Sequence, residues 1–110
     1  ATLVGELKNG QITEYEIHPE DFGLAMSSNR ALKVETPEQS REMLIGVLKG
    51  EPGAAQEIVC LNAGVALYAA NVVDSVPAGL AKARAAIASG AALAKLEQVV
   101  TRTHALATAV

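Results

Sequence analysis

Residues 58–73 read IVCLNAGVALYAANVV, a run of 16 residues that contains no charged side chain. Glu57 and Asp74 flank the run at its two ends. Apolar residues recur at a period near 3.6 on every face, and a helix of this kind is normally buried on all sides. The run is shorter than the roughly 20 residues that cross a bilayer. We therefore expect a central helix in a packed, water-soluble body, and no residue of this helix is a plausible catalyst.

The residues at the start of the chain predict a β-hairpin. Asn9-Gly10 separates two extended runs, about residues 2–8 and 11–17. A type I′ turn needs positive φ at both central positions, so this dipeptide is a strong hairpin signal. Both faces of the ribbon carry apolar side chains, and the first strand has an open outer edge. We therefore expect other structure to cover both faces and to pair with that edge.

Helix-start signals divide the remainder of the chain. Thr36-Pro37-Glu38-Gln39 combines a threonine N-cap, a proline in the first turn and a glutamine that can close a capping box. Ser75 followed by Pro77 marks a second start. A loop over residues 20–34, with a short helix near 29–32, precedes the first signal. The predicted fold is α/β: the hairpin, this loop, and four helices over about residues 37–49, 54–73, 76–89 and 91–107. The side chains expected to face inward are Met43, Leu44, Val47, Leu48, Leu80, Ala83, Ala86 and Ile87. On the last helix, Leu93, Leu96, Val100, Thr103 and Leu106 lie on one side.

Composition limits the classes of protein. A chain of 110 residues corresponds to a single domain or less, and we see no internal boundary over residues 1–110. The net charge of −3 provides no basic surface for nucleic acid or for an anionic membrane. One cysteine and no signal peptide favour the cytoplasm. The 21 alanines bury little area per residue, so the core is expected to be thin.

Few residues suggest chemistry. Asp21-Phe22-Gly23 matches the metal-binding triplet of protein kinases, but no other kinase motif is present. We interpret it as a turn in which Asp21 bonds to the backbone and Phe22 packs inward. Glu14 and Glu16 share one strand face, where paired carboxylates could act as acid and base or hold a divalent ion. A solvated strand face is the favoured interpretation.

The remaining candidates are single residues without partners at a useful spacing. His18 and His104 lack a second ligand one helical turn away, so any zinc site would have to be assembled by the fold. Cys60 lies in the apolar helix and is interpreted as a small core residue rather than a nucleophile. Asn62, in the same helix, is expected to be buried and bonded to a neighbouring backbone, with substrate contact as the alternative. No glycine-rich phosphate loop is present.

Five motifs together resemble one family. They are Val4-Gly5-Glu6-Leu7-Lys8-Asn9-Gly10, Pro19-Glu20-Asp21-Phe22-Gly23-Leu24, Val47-Leu48-Lys49-Gly50, Leu61-Asn62-Ala63 with Ala66-Leu67-Tyr68, and Ile87-Ala88-Ser89-Gly90. In this order and spacing, from residue 2 to about residue 97, they are similar to the C-terminal part of the large α/β domain of anthranilate phosphoribosyltransferases.

The resemblance implies a reaction in tryptophan biosynthesis, in which anthranilate displaces pyrophosphate from phosphoribosyl pyrophosphate with the help of Mg²⁺. It also implies a homodimeric cytoplasmic enzyme whose phosphate loop, anthranilate-contacting arginine and Asp-Glu metal pair all precede Ala1. No catalytic, cofactor-binding or metal-binding residue is therefore expected in this chain, whose partner would be the remainder of the enzyme. Two alternatives stay open: a self-standing, non-catalytic helical interaction module, and a related transferase that uses another acceptor.

Overall fold

The computed structural model describes residues 1–24 and 29–109. It contains a hairpin followed by four helices, which confirms the predicted α/β fold. The strands are β1 (Thr2–Lys8) and β2 (Gln11–Ile17), and the helices are α1 (Pro37–Leu48), α2 (Ala54–Ala69), α3 (Val76–Ala88) and α4 (Ala91–Thr108). Two short 3-10 helices, Pro19–Phe22 and Asn29–Leu32, lie between β2 and α1. Within the predicted loop, residues 25–28 lie outside the described residues.

The hairpin has the register that a two-residue turn at Asn9-Gly10 produces. β1 and β2 pair antiparallel with Leu7 opposite Ile12 and Val4 opposite Tyr15. Asn9 and Gly10 both adopt positive φ, 53° and 76°, as a type I′ turn requires. These two strands form a two-stranded sheet in the described part of the chain, so neither of its edges is paired to a third strand there.

The helix starts follow their predicted caps. The Thr36 hydroxyl accepts from the Gln39 amide at 3.1 Å, and the Ser75 hydroxyl accepts from the Ala78 amide at 3.2 Å. The capping box differs in one respect. The Gln39 side chain accepts from the amide of Glu35, at 2.8 Å, rather than from that of Thr36. The two caps satisfy amides that the first turn of each helix leaves without a partner.

Helix α2 ends earlier than predicted, at Ala69 instead of residue 73. Asn71 has φ 60°, its amide donates to the carbonyl of Tyr68, and the amide of Val72 donates to the carbonyl of Leu67. This pair of bonds is a Schellman motif with asparagine at the left-handed position. The apolar run therefore continues beyond the helix that it forms.

The core lies where α2 packs against α3. Its buried side chains are Val47, Cys60, Leu80, Ala83 and Ile87, with Phe22, Ala55, Val59, Ala63 and Ala92 packed against them. The two helices approach each other through glycines. A Cβ on Gly64 would lie 2.7 Å from the backbone nitrogen of Leu80, and one on Gly79 would overlap the carbonyl oxygen of Gly64. Only residues without side chains fit at this crossing.

The prediction that α2 is buried on all sides is wrong for the described structure. One side packs against α3 and α1, but Ile58 is 42% and Val65 36% exposed. The apolar side of α4 is largely uncovered, because Val100 and Leu106 are about half exposed and α4 has no buried residue among those described. Of the α1 residues predicted to face inward, Val47 is buried but Leu44 is exposed. The periodicity identifies apolar faces, but this part of the chain does not supply enough elements to cover all of them.

None of the helices in the described residues is both long enough and apolar enough to cross a membrane.

Candidate functional site

The residues that the sequence analysis singled out do not form a shared site. Glu14 and Glu16 lie on the exposed face of β2, and Glu16 has the His18 ring as a neighbour, at 3.8 Å. His104 is exposed on α4, far along the chain from both. Within the described ranges 1–24 and 29–109, no group of three or more histidine, cysteine, aspartate or glutamate side chains could hold a metal ion.

The Asp21-Phe22-Gly23 turn has the predicted arrangement. The Asp21 carboxylate accepts from the backbone amide of His18 at 2.9 Å, and Phe22 packs against the core. Gly23 has φ 75° and follows the short 3-10 helix. This aspartate therefore stabilises the start of a turn rather than binding a ligand.

Cys60 and Asn62 have opposite environments although only two positions separate them. Cys60 is 1% exposed, and burial raises the pKa of its thiol, with the positive charge of Arg84 opposing that shift. A thiol of this kind is protonated and inert. Asn62 is exposed, so the prediction of a buried amide bonded to a neighbouring backbone is wrong. Its side chain points away from the α2–α3 contact because it lies on the face of α2 that this chain does not cover.

A cluster that the sequence analysis missed joins the hairpin to α2. The Glu6 carboxylate accepts hydrogen bonds from two phenol groups, Tyr15 at 2.8 Å and Tyr68 at 2.5 Å. The Lys8 ammonium lies 5.6 Å from the centre of the Tyr68 ring, within cation–π range. Alternation along the strands places Glu6 and Tyr15 on the same face, which the register could have indicated. Nothing local indicates Tyr68, which lies 62 positions from Glu6.

The cluster holds its carboxylate in the ionised form. The hydrogen bond from Tyr68 and then that from Tyr15 lower the pKa of Glu6 below its ordinary value. Burial opposes this shift, and the nearby charge of Lys8 adds a smaller lowering effect. The same bond raises the pKa of Tyr15, because ionising the phenol would remove the donor from a carboxylate. A carboxylate with two fixed donors is a connector between elements, and it is a poor proton acceptor for catalysis.

A groove runs beside this cluster, between the inner face of the hairpin and the end of α2. Its volume is about 530 Å³, and it is open to solvent on one side. Its walls are mainly apolar, with the Glu6 cluster on one side; the lining includes Val4, Tyr15, Ile17, Val65, Tyr68 and Val76. Among the described residues that line the groove there is no histidine, cysteine or serine.

Replacing Glu6 by glutamine should reduce the loss of stability in acid. Because the pKa of Glu6 is lowered in the folded protein, its ionised form stabilises the fold above pH 4.5, and this contribution is lost as the pH falls through the lowered pKa. Urea unfolding of the intact protein between about pH 6 and about pH 3 measures the difference. Glu97→Gln, on the exposed part of α4, is the matched control and should keep the parent's pH profile. Equal acid sensitivity in Glu6→Gln and the parent protein would contradict the assigned role.

A family model and the individual relatives of the chain indicate the same family. The model described as "Glycosyl transferase family, a/b domain" matches residues 1–93. Proteins named anthranilate phosphoribosyltransferase are similar to the chain over 107 residues: that of Verminephrobacter eiseniae is 83% identical, that of Paracidovorax citrulli 80% and that of a Polaromonas species 68%. The match covers 97% of this chain but spans only 31% of the length of these curated relatives. Since the family model accounts for well over half of the residues, the chain belongs to the glycosyl transferase family, a/b domain.

Proposed function

We propose that this chain is the C-terminal part of the large α/β domain of an anthranilate phosphoribosyltransferase, with no domain boundary inside residues 1–110. The intact enzyme transfers the phosphoribosyl group of phosphoribosyl pyrophosphate to anthranilate, with release of pyrophosphate, in tryptophan biosynthesis. The observation that carries the proposal is the 83% identity, over 107 residues, to a protein of that name. We further propose that the intact enzyme is a cytoplasmic homodimer.

The role proposed for this chain is structural. The side-chain cluster around Glu6 connects β1 to α2, and the buried side chains among the described residues are apolar. It therefore supplies two strands and four helices to the domain, and the reacting groups belong to the remainder of the polypeptide. By itself the chain is expected to have no transferase activity.

Mg²⁺ is the cofactor proposed for the intact enzyme. The residues described here do not fit that ion, because their carboxylates are dispersed. Glu14 and Glu16 share one strand face, but that face is exposed. We therefore place the metal ligands outside this chain. Chelation should abolish turnover of the intact enzyme and added Mg²⁺ should restore it.

The test of the function is an assay of the intact protein with phosphoribosyl pyrophosphate and a panel of aromatic and heterocyclic acceptors. Turnover with anthranilate, measured as pyrophosphate release, supports the proposal. Turnover with a different acceptor alone would support the related transferase. The sequence that precedes Ala1 in the gene gives an independent check. A glycine-rich phosphate loop and an Asp-Glu pair are expected there, whereas an initiating methionine would favour a self-standing interaction module.

Replacing Glu14 or Glu16 by glutamine should leave kcat of the intact enzyme within about twofold of the parent value, because neither carboxylate is placed near a reacting group. Steady-state kinetics with saturating donor and acceptor measure this. A hundredfold loss of kcat in either variant would place the active site on this strand and contradict a purely structural role. Thr13→Ser, on the opposite face of β2, is a control for nonspecific effects on the strand.

A further inference from the structure

The outer face of the hairpin, defined here by Leu3, Gly5, Leu7, Ile12, Glu14 and Glu16, is the most exposed apolar surface of the described residues. Leu3 is 72%, Leu7 71% and Ile12 75% exposed, which exceeds the exposure of every large apolar side chain on the four helices. Single exposed apolar residues are normal on a protein surface, but here three lie on one face of a two-stranded sheet: Leu7 and Ile12 are directly paired, and Leu3 lies beyond Gly5 on the same strand. A patch of this kind indicates an interaction surface.

The two faces of the hairpin differ in how they are covered. The inner face carries Glu6 and Tyr15, which are tied to Tyr68 of α2. Nothing in the described residues packs on the outer face, and a Cβ built on Gly5 meets no atom within 4 Å. Because Gly5 lies between Leu3 and Leu7, the centre of the outer face is flat and open to a closely approaching element.

The two charged side chains of the outer face, Glu14 and Glu16, are both acidic. Leu3 pairs with Glu16 and Gly5 pairs with Glu14, so both carboxylates lie along the β2 side of the apolar patch. Both side chains are exposed, and Glu16 has the ring of His18 as a neighbour, at 3.8 Å. An occupant therefore needs apolar side chains over Leu3, Leu7 and Ile12 and positive charge over Glu14 and Glu16.

We propose that the outer face of the hairpin packs against an amphipathic helix that belongs to the same polypeptide but lies outside this chain. The helix lays apolar side chains on Leu3, Leu7 and Ile12 and presents lysine or arginine to Glu14 and Glu16. The inference rests on the proposed function, because it takes the occupant from the part of the intact enzyme that this chain lacks. The matched relatives supply such a part, since the chain spans 31% of their length.

Geometry favours a helix over other occupants. A strand of seven residues is roughly 23 Å long, and about 15 helical residues cover that length. Helices packed on one face of a sheet are a standard two-layer arrangement. A second copy of the chain is a poorer occupant, because an interface formed by the same patch on both copies would bring the four carboxylates of Glu14 and Glu16 together without a compensating cation.

The experiment is thiol labelling of the intact protein. Leu7→Cys and Ile12→Cys place a thiol on the outer face, and Glu97→Cys places a control thiol on the exposed part of α4. Cys60 is 1% exposed and gives little background reaction, which is measured on the parent protein. We expect both outer-face thiols to react with a maleimide at least about 30-fold more slowly than the control thiol. Their protection should not depend on protein concentration.

Charge reversal tests the identity of the occupant. Adding Glu14→Lys and Glu16→Lys to the Leu7→Cys protein should accelerate labelling about tenfold, whereas Glu38→Lys on α1 should not change it. Labelling of Leu7→Cys and Ile12→Cys at the control rate would overturn the proposal, as would protection that disappears on dilution, which indicates a second copy. If the labelling rate did not change on charge reversal, the proposal that the helix presents lysine or arginine to Glu14 and Glu16 would be overturned. The labelling needs no substrate, so protection in a protein that fails to use anthranilate would overturn the proposed function alone.

Discussion

Replacing Leu80 by alanine should lower the free energy of unfolding by about 2–5 kcal/mol, the range for large-to-small changes at buried leucines. Leu80 is 4% exposed and packs in the cluster formed by Val47, Cys60, Ala83 and Ile87. These neighbours come from three helices. They cannot close the gap easily, because the α2 and α3 backbones are already in contact at Gly64 and Gly79. Guanidinium chloride unfolding of the intact protein, followed by circular dichroism, measures the effect.

The control is the same substitution at Leu106, which is 53% exposed on α4. Leu106→Ala should cost less than about 1 kcal/mol, because about half of that side chain is already in water. If the two variants were equally stable, Leu80 would not be part of the core.

Replacing Gly79 by alanine should also destabilise the protein, by about 1–3 kcal/mol or more. In most helices the change from glycine to alanine stabilises, by up to about 1 kcal/mol, because alanine loses less conformational freedom on folding. At Gly79 the new methyl group would overlap the Gly64 carbonyl, which is part of the opposite backbone and cannot rotate away. α2 and α3 would have to move apart, which opens the core around Cys60. The change in unfolding midpoint measures the outcome.

Gly46 provides the matched control, because it is also a buried glycine inside a helix. A Cβ there would lie 2.5 Å from the Glu51 carboxylate, which is the far end of a flexible side chain. That side chain can turn toward solvent, so Gly46→Ala should be neutral or stabilising within about 1 kcal/mol. A similar loss of stability in both variants would mean that general crowding, rather than the α2–α3 crossing, sets the cost.

The order and type of the elements were predictable because their signals are local. Asn9-Gly10 determines a turn through its own backbone preferences, and Thr36 and Ser75 cap helices through bonds that span three residues. The end of α2 was missed because the apolar pattern continues through Val72 and Val73. The signal for that end was Asn71, since asparagine readily adopts the left-handed conformation of a Schellman motif.

Burial was less predictable, because it depends on which elements are present to provide cover. The apolar faces of α2 were correctly recognised, but Ile58 and Val65 remain exposed among the residues described here. The Glu6 cluster was not predicted, because the bond to Tyr68 depends on how the hairpin packs against α2. Among the candidate residues, Cys60 and the Asp21 turn have the expected environments, while Asn62 does not. The prediction that no catalytic, cofactor-binding or metal-binding residue lies in this chain remains to be tested.

The hydrogen bonds around Glu6 provide a spectroscopic reporter of hairpin docking. The chain contains no tryptophan, and its two tyrosines, Tyr15 and Tyr68, both donate to this carboxylate. Its near-ultraviolet absorption above the phenylalanine band therefore comes from the two rings that join the ribbon to the helices. In an alkaline titration, delayed ionisation of Tyr15 would show, without any attached dye, that its hydrogen bond to Glu6 is formed.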